Sequence, residues 1–409
     1  MSNFARRKHT LTEMATDDAT LQFIRQHADD DVRQLALRRS VPEGVDLAAA
    51  LQQIEGRQTA RHKLPKWAAL DGLVYPPHLN MEQCSSELTA RYKADLCRQL
   101  TDGGRLLDLT GGLGVDTAFM AEVFDSAVYV ERSEQLCNLA RHNLPLVCNV
   151  HIEVVCADGT DYLQRAGAAT LIYIDPSRRD DHGGRTYALA DCQPNVVPMV
   201  DDLLDRADIV MLKLSPMLDW RKAVADVGRQ HAAQVHIVAA GGECKELLLV
   251  LQRQAGALTL VCADTVTGLA YTVANALDAP LCCPTPAAPA PGMLLYEPHA
   301  AVMKAGCFGA LARDFGVAPL APNSHLFLSA QPVDFPGRSF RIEAVTTMNR
   351  RALKATLGHL RQANISVRNF PLSAQALRQR LKLSDGGPHY IFATTLADNT
   401  HVLLLCQKP

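Results

Sequence analysis

The sequence predicts an α/β protein: a seven-stranded, mostly parallel, doubly wound sheet, preceded by a helical region and followed by a small α+β domain. Three observations predict it. Between residues 81 and 278, short apolar runs alternate with segments of helical periodicity. Four of these runs, Arg105–Asp108, Ala127–Glu131, Ile152–Asp158 and Thr170–Asp175, carry an acid at or just past the C-terminal end. The first breaks at once into Leu109-Thr110-Gly111-Gly112-Leu113-Gly114-Val115-Asp116. Such a glycine bend hands a parallel strand over to a helix and lets a ligand approach the backbone. In an open parallel sheet the four acids gather along one rim, where ligands of doubly wound sheets bind.

Residues 1–80 read as helices, with three-and-four apolar spacing over Thr20–His27 and Val45–Ile54. The prolines of Lys63–Trp67 and Val74–Pro77 mark loops. This region is either a packed cap or a lid over substrate. One helix carrying Gln83, Ser86, Thr89 and Lys93 then leads into the first strand. Helices are expected near 133–144, 195–206, 219–230 and 243–254, and the later strands at Ile209–Leu214, Val235–Val238 and Leu258–Cys262. Residues 279–291 hold five prolines in thirteen positions and read as a linker. A small unit, 292–330, follows, with a strand at Met293–Glu297 and a helix at Ala300–Ala312. The last domain, 331–409, reads strand 339–345, helix 349–362, strand 365–370, helix 373–381, then strands 389–395 and 401–407.

Composition sets the outer limits. A chain of 409 residues, 48% hydrophobic and 21% charged, is globular and long enough for two or three domains. A net charge of −2 supplies no global field toward nucleic acid or membrane, so a polyanion must be held by a local patch. No secretory signal pattern opens the chain, and its longest charge-free run is broken by prolines; the cytoplasm is the expected location. The twelve cysteines show no C-x-x-C spacing, so no metal is expected, and Cys137, Cys156, Cys262 and Cys406 read as small buried hydrophobes.

Charge decides the ligand of the rim. A dinucleotide site needs a third glycine where Thr117 stands, and its pyrophosphate would face Asp116. S-adenosylmethionine (SAM) has no phosphate and carries an ammonium, which acids welcome. Asp108–Asp116 also resembles the first motif, D-x-x-x-G-x-G, of the class I SAM-dependent methyltransferases. That resemblance implies a Rossmann-like core in which Glu131 takes the ribose hydroxyls and Asp158 lies by the adenine amino group. It places Asp108, Thr110, Gly112 and Gly114 around the cofactor. Gly111 either contacts the cofactor or eases the turn, and Asp116 is either a site residue or an ordinary helix-start acid. Thr89 and Lys93 either reach the SAM carboxylate or sit on an exposed helix face. Glu82–Lys93, Ile174–Arg179, Val210–Asp219 and Gly242–Leu248 resemble a bacterial group that joins such a domain to a ferredoxin-like segment and a C-terminal THUMP-like domain.

Asp175-Pro176-Ser177-Arg178 stands where amino-group methyltransferases carry [D/N]-P-P-[aromatic], so Asp175 and Pro176 are expected at the reacting centre. The aromatic ring is missing. Arg178 and Arg179 either hold the target nucleotide or anchor the loop through Asp180 and Asp181, and Tyr187 is a candidate stacking face. Lys213 and Ser215, at the end of the next strand, are expected to face the same pocket. In the tail, ten Lys or Arg lie between Arg338 and Lys382 against one acid, Glu343. Arg350, Arg351 and Lys354 are the expected contacts of an RNA backbone, a role that the THUMP-like resemblance also implies. The expected activity is methylation of a nucleotide in structured RNA. Methylation of a protein or small molecule, and a SAM- or RNA-binding module without transferase activity, are the alternatives.

Overall fold

The structure is a computed structural model that describes residues 17–38, 40–178, 188–279 and 286–409. The first sixteen residues and residues 280–285 of the proline-rich stretch, with Cys282 and Cys283, lie outside the described residues. The chain divides into two compact units: the residues up to Gln234 with Lys245–Gly256, and Val235–Cys244 with Ala257–Pro409.

The first unit opens with α1 (Asp18–Gln26), α2 (Val32–Ala36), α3 (Leu47–Lys63), α4 (Pro65–Ala68), α5 (His78–Gln83) and α6 (Glu87–Leu100). Asp17, Asp31 and Asp46 cap α1, α2 and α3, each accepting backbone N–H groups of the first turn. Phe23, Leu35, Ala50 and Ile54 form the core of this helical layer. The single helix expected through Gln83–Lys93 is two, because Ser86 accepts from the Thr89 N–H and starts α6. Next come β1 (Arg105–Asp108), α7 (Val115–Ala121), β2 (Ser126–Glu131), α8 (Glu134–Val147), β3 (Ile152–Cys156), α9 (Gly159–Leu163) and β4 (Ala169–Ile174). A two-residue pair, β5 (Ser177–Arg178) and β6 (Cys192–Gln193), precedes α10 (Val200–Arg206), β7 (Ala207–Leu214) and α11 (Trp220–Val227). The helical layer is tied to this part: the Asn143 side chain of α8 bonds both backbone groups of Val74, and Glu87 accepts from the Lys66 N–H at 2.7 Å.

After β8 (Ala232–Ala240) comes β9 (Glu243–Leu251), where a helix was expected. Leu247–Leu251 are all buried, and a short continuous apolar run fits a buried strand as well as a helix. Pairing decided it: β9 lies antiparallel to β7, with Leu214 opposite Leu247. Within the first unit the strand order is β9-β7-β4-β1-β2-β3, and the last five run parallel. Their middle residues, such as Leu107, Ile172 and Val210, are fully buried, as in a sheet covered on both faces. Each such side chain contributes roughly 1.5–3 kcal/mol by leaving water.

The second unit holds β10 (Thr259–Asp264) and β11 (Leu269–Val273), an antiparallel pair. The seven strands expected up to residue 278 are all present, and β9, β11 and the short pair β5 and β6 are additional. There follow β12 (Leu294–Pro298), α12 (Ala300–Ala305), α13 (Phe308–Phe315), β13 (Ala318–Pro319), β14 (Phe327–Ser329), β15 (Gly337–Thr347), α14 (Arg350–Leu357), β16 (Asn364–Arg368), α15 (Ala374–Leu381), β17 (His389–Thr395) and β18 (His401–Gln407). The helix expected over 300–312 is split by Gly306, whose left-handed conformation ends α12. The seven C-terminal strands form one sheet, β13-β14-β12-β15-β18-β17-β16, in which only β16 and β17 are parallel. Two apolar clusters, around Phe340–Phe392–Leu404 and around Leu377–Ile391–Leu403, form its cores. Of the four cysteines read as buried, Cys156 is exposed. Among the described residues no helix is long and apolar enough to cross a membrane.

Candidate active site

The strand order turns around β1, with β2 on one side and β4 on the other, so the loop after β1 sits at the topological switch. Backbone contacts fix its shape. Gly111 donates to the Val130 carbonyl at 2.8 Å, and the Thr110 hydroxyl oxygen accepts from the Asp175 N–H at 2.7 Å. Gly112 and Gly114 hold φ of 55° and 81°, which residues with a side chain adopt only with strain. Gly111 is required for a different reason. A Cβ there would lie 2.2 Å from Cε2 of the buried Tyr129 ring, whose hydroxyl donates to the Gly112 carbonyl at 2.6 Å.

Asp108 is turned inward. Its oxygens accept from the Thr110 N–H at 2.9 Å and the Thr117 hydroxyl at 2.5 Å, and only 1% of the residue is exposed. Burial pushes its pKa up to about 7, against the pull of those two hydrogen bonds. Glu131 accepts from the Gly112 N–H at 3.1 Å and the Ser133 N–H at 2.8 Å, leaving each oxygen one further lone-pair direction. Asp158 caps α9, accepting from the Thr160 hydroxyl and the N–H groups of Thr160 and Asp161, and these hold its pKa below the ordinary value. The turn that carries it presses on β1: a Cβ on Gly159 would lie 2.2 Å from the Leu109 carbonyl oxygen.

Asp175 follows β4 directly, its side chain 38% exposed, and is ion-paired with Lys213 of β7. That contact and the flanking Asp116 and Glu246 outweigh the burial of Lys213 and raise its pKa, so it stays charged. Pro176 is buried, and Ser215 accepts from the Met217 N–H in the turn after β7. Arg178 lies in β5; its side chain, together with Arg179, Asp180, Asp181 and Tyr187, falls outside the described residues.

The unexpected part lies behind this rim. Asp116, its side chain 11% exposed, stands in the first turn of α7, where Ser85 and Tyr173 hydroxyls donate to it at 2.8 and 2.7 Å. Lys93 lies 3.2 Å from the other oxygen of Asp116 and donates to both oxygens of Glu246 at 2.7 and 2.8 Å. Lys93 is 0% exposed and Thr89 3%, so neither stands on an exposed helix face. Sequence reasoning left Glu246 and Tyr173 unassigned. The available signal was an acid set against the apolar run Leu247–Leu251, costly to bury without a partner.

The tail is less basic than the count suggests. Arg338 and Arg368 both pair with buried Glu297, and Arg378 pairs with Asp385, which lies just past the counted window. Arg350, Arg351 and Lys354 are exposed on α14. Two arginines in the first helical turn oppose the macrodipole, so helix stability does not explain them.

A parallel-rich sheet with a glycine bend and acid-ended strands defines the methyltransferase fold, and the comparisons agree. Residues 45–174 match the protein-L-isoaspartate(D-aspartate) O-methyltransferase family, 294–336 a ferredoxin-like domain, and 337–408 the THUMP-like domains. None of the curated proteins matches. A crystal structure from Porphyromonas gingivalis W83, provisionally described as a methyltransferase, superposes with a TM-score of 0.84 at 33% identity, covering 95% of this chain and 97% of that one. The chain belongs to that protein's family, a methyltransferase domain joined to ferredoxin-like and THUMP-like domains. A 16S rRNA methyltransferase of T. thermophilus, solved with AdoMet and guanosine, matches at 15% identity and a TM-score of 0.33, covering 44% of this chain and 46% of that one. A tRNA methyltransferase of M. jannaschii matches at 11% and 0.30, covering 42% and 51%. Both likenesses are too slight to carry an argument.

Proposed function

We propose that this chain is a SAM-dependent methyltransferase acting on a nucleotide of structured RNA. One observation carries the cofactor assignment: the Gly112 N–H, which a pyrophosphate would need, is already bonded to Glu131, and Asp116 occupies the first turn of α7. A phosphate would meet the Glu131 carboxylate and a spent donor; a cation would meet the charge it needs. Bound there, SAM supplies a methyl group on a sulfonium. Glu131 would hold the ribose hydroxyls and Asp158 the adenine end, while the bend from Thr110 to Gly114 shapes the cradle. Asp108 and Asp116 support the bend from behind.

Asp175, ion-paired with Lys213, would orient the nucleophile and accept its proton or hydrogen bond. Pro176 and Ser215 shape the turn around it. Arg178, Arg179 and Tyr187 remain the proposed holders of the target nucleotide. Arg350, Arg351 and Lys354 would grip the RNA backbone, because they are exposed where their basic neighbours Arg338, Arg368 and Arg378 are paired with acids. The cytoplasm is the proposed location.

A protein acceptor is the second reading, favoured by the family match over 45–174; that match ends one residue before Asp175 and so covers the cofactor half of the site. Tritiated-methyl SAM, incubated with total RNA, protein and metabolite pools from cells lacking the gene, separates the readings. Label in RNA, lost in Asp175→Ala while SAM still binds, is expected. Label in protein alone moves the assignment to the second reading. No label in any pool, with SAM bound, leaves a binding module.

A further inference from the structure

Charged side chains on and behind the rim form a chain of alternating sign: Glu246, Lys93, Asp116, Lys213, Asp175. They come from β9, α6, α7, β7 and the end of β4, so the whole chain lies within the first unit. Lys93 links Glu246 at 2.7 Å to Asp116 at 3.2 Å; Lys213 lies 3.9 Å from Asp116 and is paired with Asp175. Side-chain exposure is 3% at Glu246, 0% at Lys93, 11% at Asp116, 15% at Lys213 and 38% at Asp175. One end is sealed and the other opens at the reacting centre.

We propose that Glu246 and Lys93 are positioning residues that act through Asp116 and Lys213 to set the charge and orientation of Asp175. This rests on the role given to Asp175 above. A buried ion pair is weak evidence for stability, since well-packed apolar residues often replace one without loss. Lys93 and Glu246 are 153 positions apart in sequence, yet they meet in the same chain of charges as Asp175. Each inner member divides its attraction between two neighbours. Asp116 shares its pull between Lys93 and Lys213, and Lys93 shares its own between Asp116 and Glu246. A charge removed at the sealed end therefore changes how strongly Lys213 is left to Asp175.

The sign follows. With Glu246 neutral, Lys93 turns wholly to Asp116, which releases Lys213 toward Asp175, so Asp175 holds its charge to lower pH. With Lys93 neutral, Asp116 draws Lys213 away, and Asp175 takes up a proton at higher pH. Among the described residues, the other ionisable groups facing the chain are Asp108, Tyr173 and Cys84. Burial raises all three, Asp108 to about 7 and Cys84 to about 11, above the carboxylate range to be followed.

The test is a titration of the full-length protein labelled with ¹³C at aspartate side chains, the Asp175 signal being the one lost in Asp175→Asn. The midpoint should fall in Glu246→Gln and rise in Lys93→Met, each by about half a unit to one unit. The double variant should return toward wild type. The acid limb of methyl transfer from tritiated SAM to total RNA should move in the same directions. A purely structural role lowers the folded fraction and leaves both midpoints in place, and that result overturns the proposal. Should Lys93→Met fail to fold, Glu246→Gln alone decides by the direction of its shift. A midpoint that moves as stated in a protein transferring no methyl to RNA upholds the coupling and removes the RNA reading instead.

Discussion

Substituting Asp108 by Asn should abolish a specific part of the pH dependence of folding. Asp108 is sealed beneath the glycine bend, and burial raises its pKa from 3.8 to about 7. Such a group is protonated in the folded chain while its unfolded counterpart is ionised. The favourable contribution is fully present below the unfolded pKa and is lost as pH climbs through the folded one. The span is about three units, which corresponds to about 4 kcal/mol at about 1.4 kcal/mol per unit. Asn keeps the acceptor for the Thr110 N–H and offers an amide donor to the Thr117 hydroxyl, without a charge to bury. Urea unfolding of both proteins, followed through the first unit between pH 4 and 8, isolates the effect. The stability of wild type minus that of Asp108→Asn should fall by about 1.4 kcal/mol per pH unit up to about pH 7, then level off. A difference that stays flat, or that rises with pH, refutes the reasoning. It would mean that the two hydrogen bonds to Asp108 outweigh its burial.

Gly111→Ala should cost about 1–3 kcal/mol in a melting experiment, because its methyl group must push the Tyr129 ring away from the Gly112 carbonyl. SAM affinity measured on the same variant should drop at least about tenfold, since the bend moves with the ring. Glu131→Ala should weaken SAM by about 2 kcal/mol or more, read by calorimetry, with the melting transition nearly unchanged. Glutamate in place of Arg350, Arg351 and Lys354 should abolish binding of structured RNA in a filter assay while SAM affinity holds; unchanged RNA binding removes α14 from the interface. The single change Lys354→Ala should lower the salt slope of RNA binding by about one.

What sequence revealed and what it hid follow one physical division. Asp108, Glu131, Asp158 and Asp175 were legible because each ends or follows a strand, and parallel strands deliver their C-terminal ends to one edge. Gly112 and Gly114 were legible because positive φ leaves a mark in composition. The need for glycine at position 111 was not, since it depends on Tyr129, a residue of the neighbouring strand. The ionic chain was hidden for the same reason at longer range. Lys93 read either as a contact of the SAM carboxylate or as a surface helix residue, and Glu246 fell in a segment whose Leu, Lys and Glu favour helix, until pairing with β7 made it a strand. In the tail, counting charges over Arg338–Lys382 excluded Glu297 and Asp385, the acids that pair with three of the arginines. Local pattern placed the rim; only tertiary packing showed what stands behind it.

The account stands on a site whose carboxylates and already-bonded glycine N–H favour a cation over a pyrophosphate. Calorimetric titration of the purified protein with SAM and with NAD addresses this most directly. Saturable SAM binding, weakened in Glu131→Ala, with no heat from NAD, is the predicted result. Tighter binding of NAD, or no binding of SAM by protein shown to be folded, would contradict it.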